Sequence, residues 1–149
     1  MRQQALLMTD VYNLQRFLDA QGHVYDTVLD ELRAGRKSSH WIWFIFPQIT
    51  GLGHSRMAQK FAIASLDQAK AYLQHPVLGP RLRECTQLVL NVDGRSAEQI
   101  FSSPDNLKFR SCMTLFMTAT TDNQIFKDAL LKYFEGKPDQ LTLDLLAHR

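Results

Sequence analysis

The stretch Glu31–Ser55, ELRAGRKSSHWIWFIFPQITGLGHS, decides how this chain folds. It contains both tryptophans of the protein and three of its seven glycines. Large aromatic side chains are most often buried, so we expect the run of rings to form core. Basic, hydroxyl and amide side chains lie directly before and after the rings. This arrangement favours a core segment that also forms the wall of a pocket.

Length and composition limit the class of protein. A chain of 149 residues fits one domain with a proper hydrophobic core. A hydrophobic content of 45% and a charged content of 21% are typical of soluble globular proteins. The formal net charge is only +2, and the Lys and Arg residues are scattered along the chain. Both observations argue against nucleic acid as the partner.

Apolar runs and cysteines point to a cytoplasmic protein. The longest uninterrupted apolar run is Trp41–Phe46, whereas a membrane span needs about 20 apolar residues. The first residues reach a charge before any sustained apolar run, so no signal peptide is predicted. Cys85 and Cys112 stand among apolar residues, and we expect buried, reduced thiols. We predict no metal, no cofactor and no contact with membranes.

Apolar residues elsewhere recur at helical spacing. The clearest stripe is Leu78, Leu82, Cys85 and Val89, spaced four, three and four residues apart. Ser65-Leu66-Asp67-Gln68 fits a capping box, which marks a helix start. Alternation with a period of two residues is absent from the sequence. We therefore predict an all-α protein, with residues 1–149 forming a single compact bundle of seven or eight short helices.

The aromatic run itself is ambiguous between helix and strand. Its residues have high β-propensity, but all neighbouring segments have helical periodicity. We predict a short buried helix that begins at Ser38 or Ser39, is capped by Ser39 and ends at Pro47. The residues QITGLGHS that follow should form a loop.

The first group of candidate site residues flanks the rings. Lys37 and His40 are three residues apart and would share one face of a helix. Together with the tryptophan rings, they would suit a flat, anionic ligand. Gly51 and Gly53 would let backbone amides approach a phosphate. In the alternative interpretation, the rings are core and the glycines serve a tight turn.

A second group lies in the segment DNLKFRS, residues 105–111. Asp105 and Lys108 would be neighbours on a helix surface. Lys108 and Arg110 would point to nearly opposite sides of a regular helix. Arg110 could bind a carboxylate or phosphate through two hydrogen bonds. The sequence contains no nucleophile elbow, zinc-protease motif or nucleotide-binding glycine motif that would define a reaction.

Five segments of the chain resemble the bacterial domain-of-unknown-function 1810 family. They are GRKSSHWIWFIFPQITGLGHS, KFAI, AYLQHPVLGPRLRE, QIF and DNLKFRSCMTLF. The resemblance covers nearly the whole chain and implies a compact all-helical fold. It supplies no established activity. It does imply that the polar residues of the two groups form one site.

We predict a protein that binds a small anionic ring-bearing ligand, such as a nucleotide or an ADP-ribose-like derivative. As an enzyme, it would hydrolyse that ligand. The candidate catalytic residues are His40 and Asp105. The candidate ligand-binding residues are Lys37, Ser39, Trp41, Trp43, Gln48, Gly51, Gly53, Lys108, Arg110 and Ser111. The alternative is a non-enzymatic interaction module whose ring-rich block is core or a partner-binding surface. The sequence does not define an oligomeric state.

Overall fold

The computed structural model describes residues 10–148. Within this range, all regular elements of secondary structure are helices. The ten helices in this range are α1 (Gln15–Gly22), α2 (Tyr25–Arg33), α3 (Ile42–Ile45), α4 (Arg56–Lys60), α5 (Leu66–Gln74), α6 (Leu78–Leu90), α7 (Ala97–Phe101), α8 (Asp105–Ala119), α9 (Gln124–Phe134) and α10 (Gln140–Ala147). The all-α prediction is confirmed, but seven or eight helices was too low a number. Three of the ten helices, α3, α4 and α7, are only four or five residues long. Between residues 10 and 148, no helix has the length and apolar character needed to cross a bilayer.

Helix α8 lies at the centre of the fold. It packs against α3, α5, α7, α9 and α10. Its buried residues include the apolar side chains Phe109, Cys112 and Phe116, and also the polar Ser111 and Thr114. Because other elements surround α8, the helix buries residues on several of its sides.

Aromatic rings fill the space between α3, α7 and α8. The ring of Phe46 meets Phe101 and Phe109 edge-on, at centroid distances of 5.9 and 4.9 Å. Phe101 and Phe109 stack on each other at 4.8 Å. Trp41 adds a tilted contact with Phe46 at 6.2 Å. The aromatic run of the sequence is therefore core, and it fixes the first group of site residues against the start of α8.

The helix within the aromatic run is shorter than predicted. It covers Ile42–Ile45 and follows Trp41, whose side chain does not cap it. The Ser39 hydroxyl donates to Glu31 Oε2 at 2.6 Å, so the predicted cap is wrong. Lys37 and His40 precede the helix, and the prediction that they share a helical face is therefore also wrong.

The loop after α3 is held by a single parallel bridge between Ile49 and Ile63. The Ile63 amide donates to the Gln48 carbonyl at 2.8 Å, and the Thr50 amide donates to the Ile63 carbonyl at 2.9 Å. These bonds anchor residues 48–50 beside the chain that leaves α4. The predicted loop is thus ordered by tertiary contacts that its glycine-rich sequence does not reveal.

Both cysteines are free and buried, as predicted. Burial raises the pKa of the Cys85 thiol to about 12, although a hydrogen bond with Tyr25 opposes the shift. Burial also raises the pKa of Cys112 well above its usual value. Because the thiolate is the reactive form, neither side chain is suited to act as a nucleophile near neutral pH.

Candidate functional site

A buried ion pair joins the two groups of candidate residues. Lys37 Nζ lies 2.8 Å from Asp105 Oδ2, and the two side chains are only 6% and 19% exposed. Lys37 Nζ also donates to the Ser39 carbonyl at 2.6 Å, while its backbone amide donates to the Ile100 carbonyl at 2.7 Å. The Lys37 ammonium is therefore surrounded by protein acceptors. It holds the segment before α3 against the start of α8.

Asp105 has a second cationic neighbour. Lys108 Nζ lies 3.5 Å from Asp105 Oδ1. One carboxylate is thus shared by two ammonium groups, and the closer and more buried one is Lys37. The Lys108 ammonium also lies 5.5 Å from the centroid of the Trp43 ring. Of the two lysines, Lys108 therefore has the weaker ion pair with Asp105.

Glu31 organises the segment that carries Lys37, although the sequence analysis gave it no role. Its Oε1 atom accepts hydrogen bonds from the amides of Ser38 and Ser39, at 2.6 and 2.9 Å, and from Trp41 Nε1 at 3.0 Å. Burial acts to raise the pKa of Glu31, but the bonds from Ser39, Ser38 and Trp41 outweigh it, and the net shift is downward. Glu31 lies seven residues before Ser38, and no sequence pattern at that spacing indicates that a carboxylate accepts hydrogen bonds from the later segment.

The two tryptophans have different environments. Trp41 is 1% exposed and donates its indole N–H to Glu31, so its ring is not accessible to a ligand. Trp43 is partly exposed and packs against the core. Its Nε1 atom is buried and has no hydrogen-bond partner. Of the two rings proposed to stack on a ligand, only Trp43 faces a cavity.

That cavity, which we call the aromatic compartment, has a volume of about 340 Å³. Its wall includes Trp43, Gln48, Gly51, Gly53, His54 and Phe61. It combines the partly exposed Trp43 ring with amide and imidazole groups that can form hydrogen bonds. The volume is in the range of small-molecule sites.

A second cavity, the cationic compartment, has a volume of about 500 Å³ and lies between the loop after α3 and helices α8 and α10. Its polar wall consists of Gln48, Lys108, Arg110, Ser111 and Asp139. Its apolar wall consists of Leu52, Pro104, Leu107 and Leu141. Gln48 and Gly53 line both compartments, so the two cavities are adjacent.

Arg110 lines the cationic compartment and also holds the chain before α10. Its Nε donates to the Lys137 carbonyl at 2.9 Å, and one terminal nitrogen donates to the Pro138 carbonyl at 3.2 Å. A guanidinium has five N–H groups, and these bonds use two of them. Lys108 and Arg110 both line this cavity. Their charged groups contact different elements, since Lys108 lies over Trp43 and Arg110 bonds the chain before α10, as expected for residues two apart on a helix.

Ser111 and Asp139 form a second link between α8 and α10. Ser111 Oγ lies 3.2 Å from Asp139 Oδ2, an oxygen that also accepts from the amide and the hydroxyl of Thr142. The Asp139 amide donates to Thr114 Oγ1 at 2.8 Å. Asp139, another residue that the sequence analysis missed, is the N-cap of α10. An aspartate just before a helical segment is a typical cap signal, but it does not indicate a cavity.

The two loop glycines have structural reasons for their identity. Gly51 has a φ of +108°, a conformation that side chains disfavour. A Cβ atom on Gly53 would lie 2.5 Å from the Ala58 Cβ. The alternative interpretation, that they serve a tight turn, explains Gly51, whereas Gly53 permits close packing against Ala58. Both glycines nevertheless line the aromatic compartment.

The remaining candidates lie outside the two compartments. His40 is exposed, and Ser39 and Lys37 bond to protein groups. Five of the candidates line neither cavity: His40, Asp105, Lys37, Ser39 and Trp41. Across residues 10–148, no three His, Cys, Asp or Glu side chains cluster in a way that could hold a metal ion.

Fold and cleft together define a helical protein with a two-part surface cleft beside its central helix. Within that class, the chain belongs to the family described as "Protein of unknown function (DUF1810)", whose sequence pattern matches residues 11–146. It is similar to the conserved hypothetical protein Rv1873 from Mycobacterium tuberculosis, at 56% sequence identity. The crystal structure of that protein aligns with a TM-score of 0.90, over 91% of this chain and 96% of that chain. No curated protein matches the sequence.

Proposed function

We propose that the protein binds a small anionic ring-bearing ligand, of the size of a nucleotide, across the two compartments. The observation that carries this proposal is their junction at Gln48 and Gly53, with an aromatic wall on one side and two cations on the other. The ring of the ligand would lie against Trp43. Its anionic group would lie at Lys108 and Arg110.

The balance of charge supports an anion in the cationic compartment. Lys108 and Arg110 contribute two positive charges to its wall, and Asp139 contributes one negative charge. The Asp139 carboxylate already accepts hydrogen bonds from Thr142 and Ser111. Asp105 is neutralised chiefly by Lys37 at 2.8 Å, which leaves Lys108 only a longer contact at 3.5 Å. The wall thus has excess positive charge.

Trp43 supports a ligand that reaches both compartments. Its indole N–H lacks a hydrogen-bond partner although it is buried, and an unpaired buried donor is costly. Its ring forms part of the aromatic compartment, while the Lys108 ammonium lies over the ring. A ligand anion that attracts Lys108 would uncover the ring for stacking.

Hydrolysis of the ligand, with His40 or Asp105 as the acid or base, stays a prediction from the sequence. Neither residue lines the compartments, and the Asp105 carboxylate is paired with two lysines. The geometry thus supports binding better than turnover. The alternative of an exposed aromatic surface for a protein partner is weakened by burial, since Trp41, Phe44 and Phe46 are at most 6% exposed.

A thermal-shift and calorimetry screen with adenosine monophosphate, ADP-ribose, phenyl phosphate and inorganic phosphate tests the proposal. At a hundred times its dissociation constant, a ligand should stabilise the fold by about 2.7 kcal/mol. We expect ring-bearing phosphates to stabilise the wild type more than inorganic phosphate does. Lys108→Met should lose the shift, whereas the control Lys127→Met, at an exposed lysine on α9, should keep it. No shift with any probe, or an equal shift in both variants, would overturn the proposal.

A further inference from the structure

We infer that the ligand carries an apolar substituent on its anionic group, and that this substituent lies between Leu107 and Leu141. The inference rests on the proposed function, because it uses the same cationic compartment. It narrows the ligand class to a small soluble amphiphile: a phosphodiester, which keeps one negative charge while it joins a ring on one side to a hydrocarbon group on the other.

Exposure of the two leucines is the first observation. Leu107 is 52% exposed and Leu141 is 64% exposed. Single exposed leucines are common on protein surfaces and need no explanation. These two come from different helices, α8 and α10, and line the same cavity together with Leu52. Their convergence on one concave surface is what requires an explanation.

Position relative to the cations is the second observation. Leu107 directly precedes Lys108 in α8, and Arg110 bonds the carbonyls of Lys137 and Pro138, just before α10 begins. The apolar and cationic walls of the compartment are therefore built from the same two segments. An anion at Lys108 and Arg110 would place a hydrocarbon substituent beside the leucines. The aromatic compartment would remain available for the ring.

Size favours a small molecule over a macromolecular partner. A cavity of about 500 Å³ matches the volumes of small-molecule sites. Stable protein interfaces, in contrast, bury roughly 800 Å² on each partner. A hydrocarbon group that covers the leucines would gain affinity by removing their surface from water.

Calorimetric titration with methyl, butyl and hexyl phosphate tests the inference, and phenyl phosphate reports on the proposed function separately. Each fully buried methylene should tighten binding about fourfold. Because the leucines cover only one side of the alkyl chain, about half of that free energy is gained over the five added methylenes. We therefore expect about a thirtyfold gain in affinity from methyl to hexyl phosphate. The doubly substituted Leu107→Ser/Leu141→Ser protein should bind all three with similar affinity. Leu131→Ser, at a leucine that is 67% exposed and outside the cavity, should retain the gain.

The outcomes separate the two claims. Binding of phenyl phosphate without a gain along the alkyl series would overturn the inference and leave the proposed function intact. An equal gain in the wild type and the double variant would also overturn it, since the alkyl group would then bind away from the two leucines. Failure of phenyl phosphate and of the whole series would overturn both claims.

Discussion

Glu31 shows how much one side chain can determine in this protein. Its carboxylate accepts hydrogen bonds from two backbone amides, a hydroxyl and an indole, all within residues 38–41. These bonds replace the helical capping that we had predicted for Ser39. Without them, the segment that carries Lys37 would have several unsatisfied donors next to the core.

Replacement of Glu31 by Gln should destabilise the protein in a pH-dependent way. The pKa of Glu31 is lower in the folded state than its ordinary value of about 4.3. Its contribution is therefore fully present above that value and is lost as the pH falls through the folded-state pKa. We expect Glu31→Gln to cost about 1 to 3 kcal/mol at pH 7.

Urea denaturation between pH 7 and pH 3 measures this effect. The difference in unfolding free energy between wild type and Glu31→Gln should shrink as the pH falls. Glu98→Gln, at an exposed position in α7, should show a small and nearly constant difference. A Glu31→Gln difference that does not change with pH would contradict the role of the charged carboxylate.

The Lys37–Asp105 ion pair should respond asymmetrically to substitution. Asp105→Asn leaves the Lys37 ammonium buried opposite a neutral group, and we expect a loss of about 3 kcal/mol. Lys37→Met should cost less, because Lys108 remains beside the Asp105 carboxylate. Chemical denaturation of both variants measures the two losses.

A surface pair provides the control for this comparison. Asp30 and Arg33 lie 3.6 Å apart, with side chains that are 80% and 58% exposed. Asp30→Asn should therefore change stability little. If Lys37→Met cost as much as Asp105→Asn or more, Lys108 would not be neutralising the carboxylate.

At the scale of elements, the periodic helices were the most predictable. The stripe from Leu78 to Val89 matches α6, and Ser96 and Gln99 form a complete capping box at α7. Ser65 accepts from the Gln68 amide as predicted, but the Gln68 side chain bonds the Ala64 amide instead of completing the box. Local signals therefore located helix starts well and side-chain partners less well.

Close packing of α5 against α6 depends on the absence of a side chain at Gly79. A Cβ atom there would lie 2.0 Å from the Leu73 carbonyl oxygen. We expect Gly79→Ala to destabilise the protein by at least about 1 kcal/mol, since backbone must shift to accommodate it. Thermal denaturation should show a clearly lower Tm.

Gly22 offers a matched control of opposite sign. It is the last residue of α1, and a Cβ atom there would have no neighbour within 4 Å. Gly22→Ala should leave stability unchanged or raise it by up to about 1 kcal/mol, because alanine loses less conformational freedom in a helix. An equal loss of stability in both variants would contradict the steric explanation at Gly79.

Across the whole molecule, helical periodicity and composition were enough to predict the all-α class, because they depend on each segment by itself. The cleft depends on distant segments. The Ile49–Ile63 bridge places the loop after α3, and the Arg110 bonds place the chain before α10. Spacing within the sequence contains no information about either contact. Residue chemistry alone was enough to identify Lys108, Arg110 and Gln48 as candidates. Without the contacts between distant segments, the sequence could not indicate that the cleft also includes Leu107, Leu141 and Asp139.

The central claim, that a ring-bearing anion binds across both compartments, can be tested most directly through the two indole N–H signals in a ¹H–¹⁵N NMR titration with phenyl phosphate. The Trp43 Nε1 group lacks a hydrogen-bond partner and belongs to a side chain that lines the aromatic compartment, whereas Trp41 Nε1 donates to Glu31 in the core. We predict that the Trp43 signal shifts with saturation, together with the amides of Gln48, Gly53 and Lys108, while the Trp41 signal stays in place. A titration in which neither indole signal moves, or in which the shifted amides lie away from the cleft, would contradict the claim.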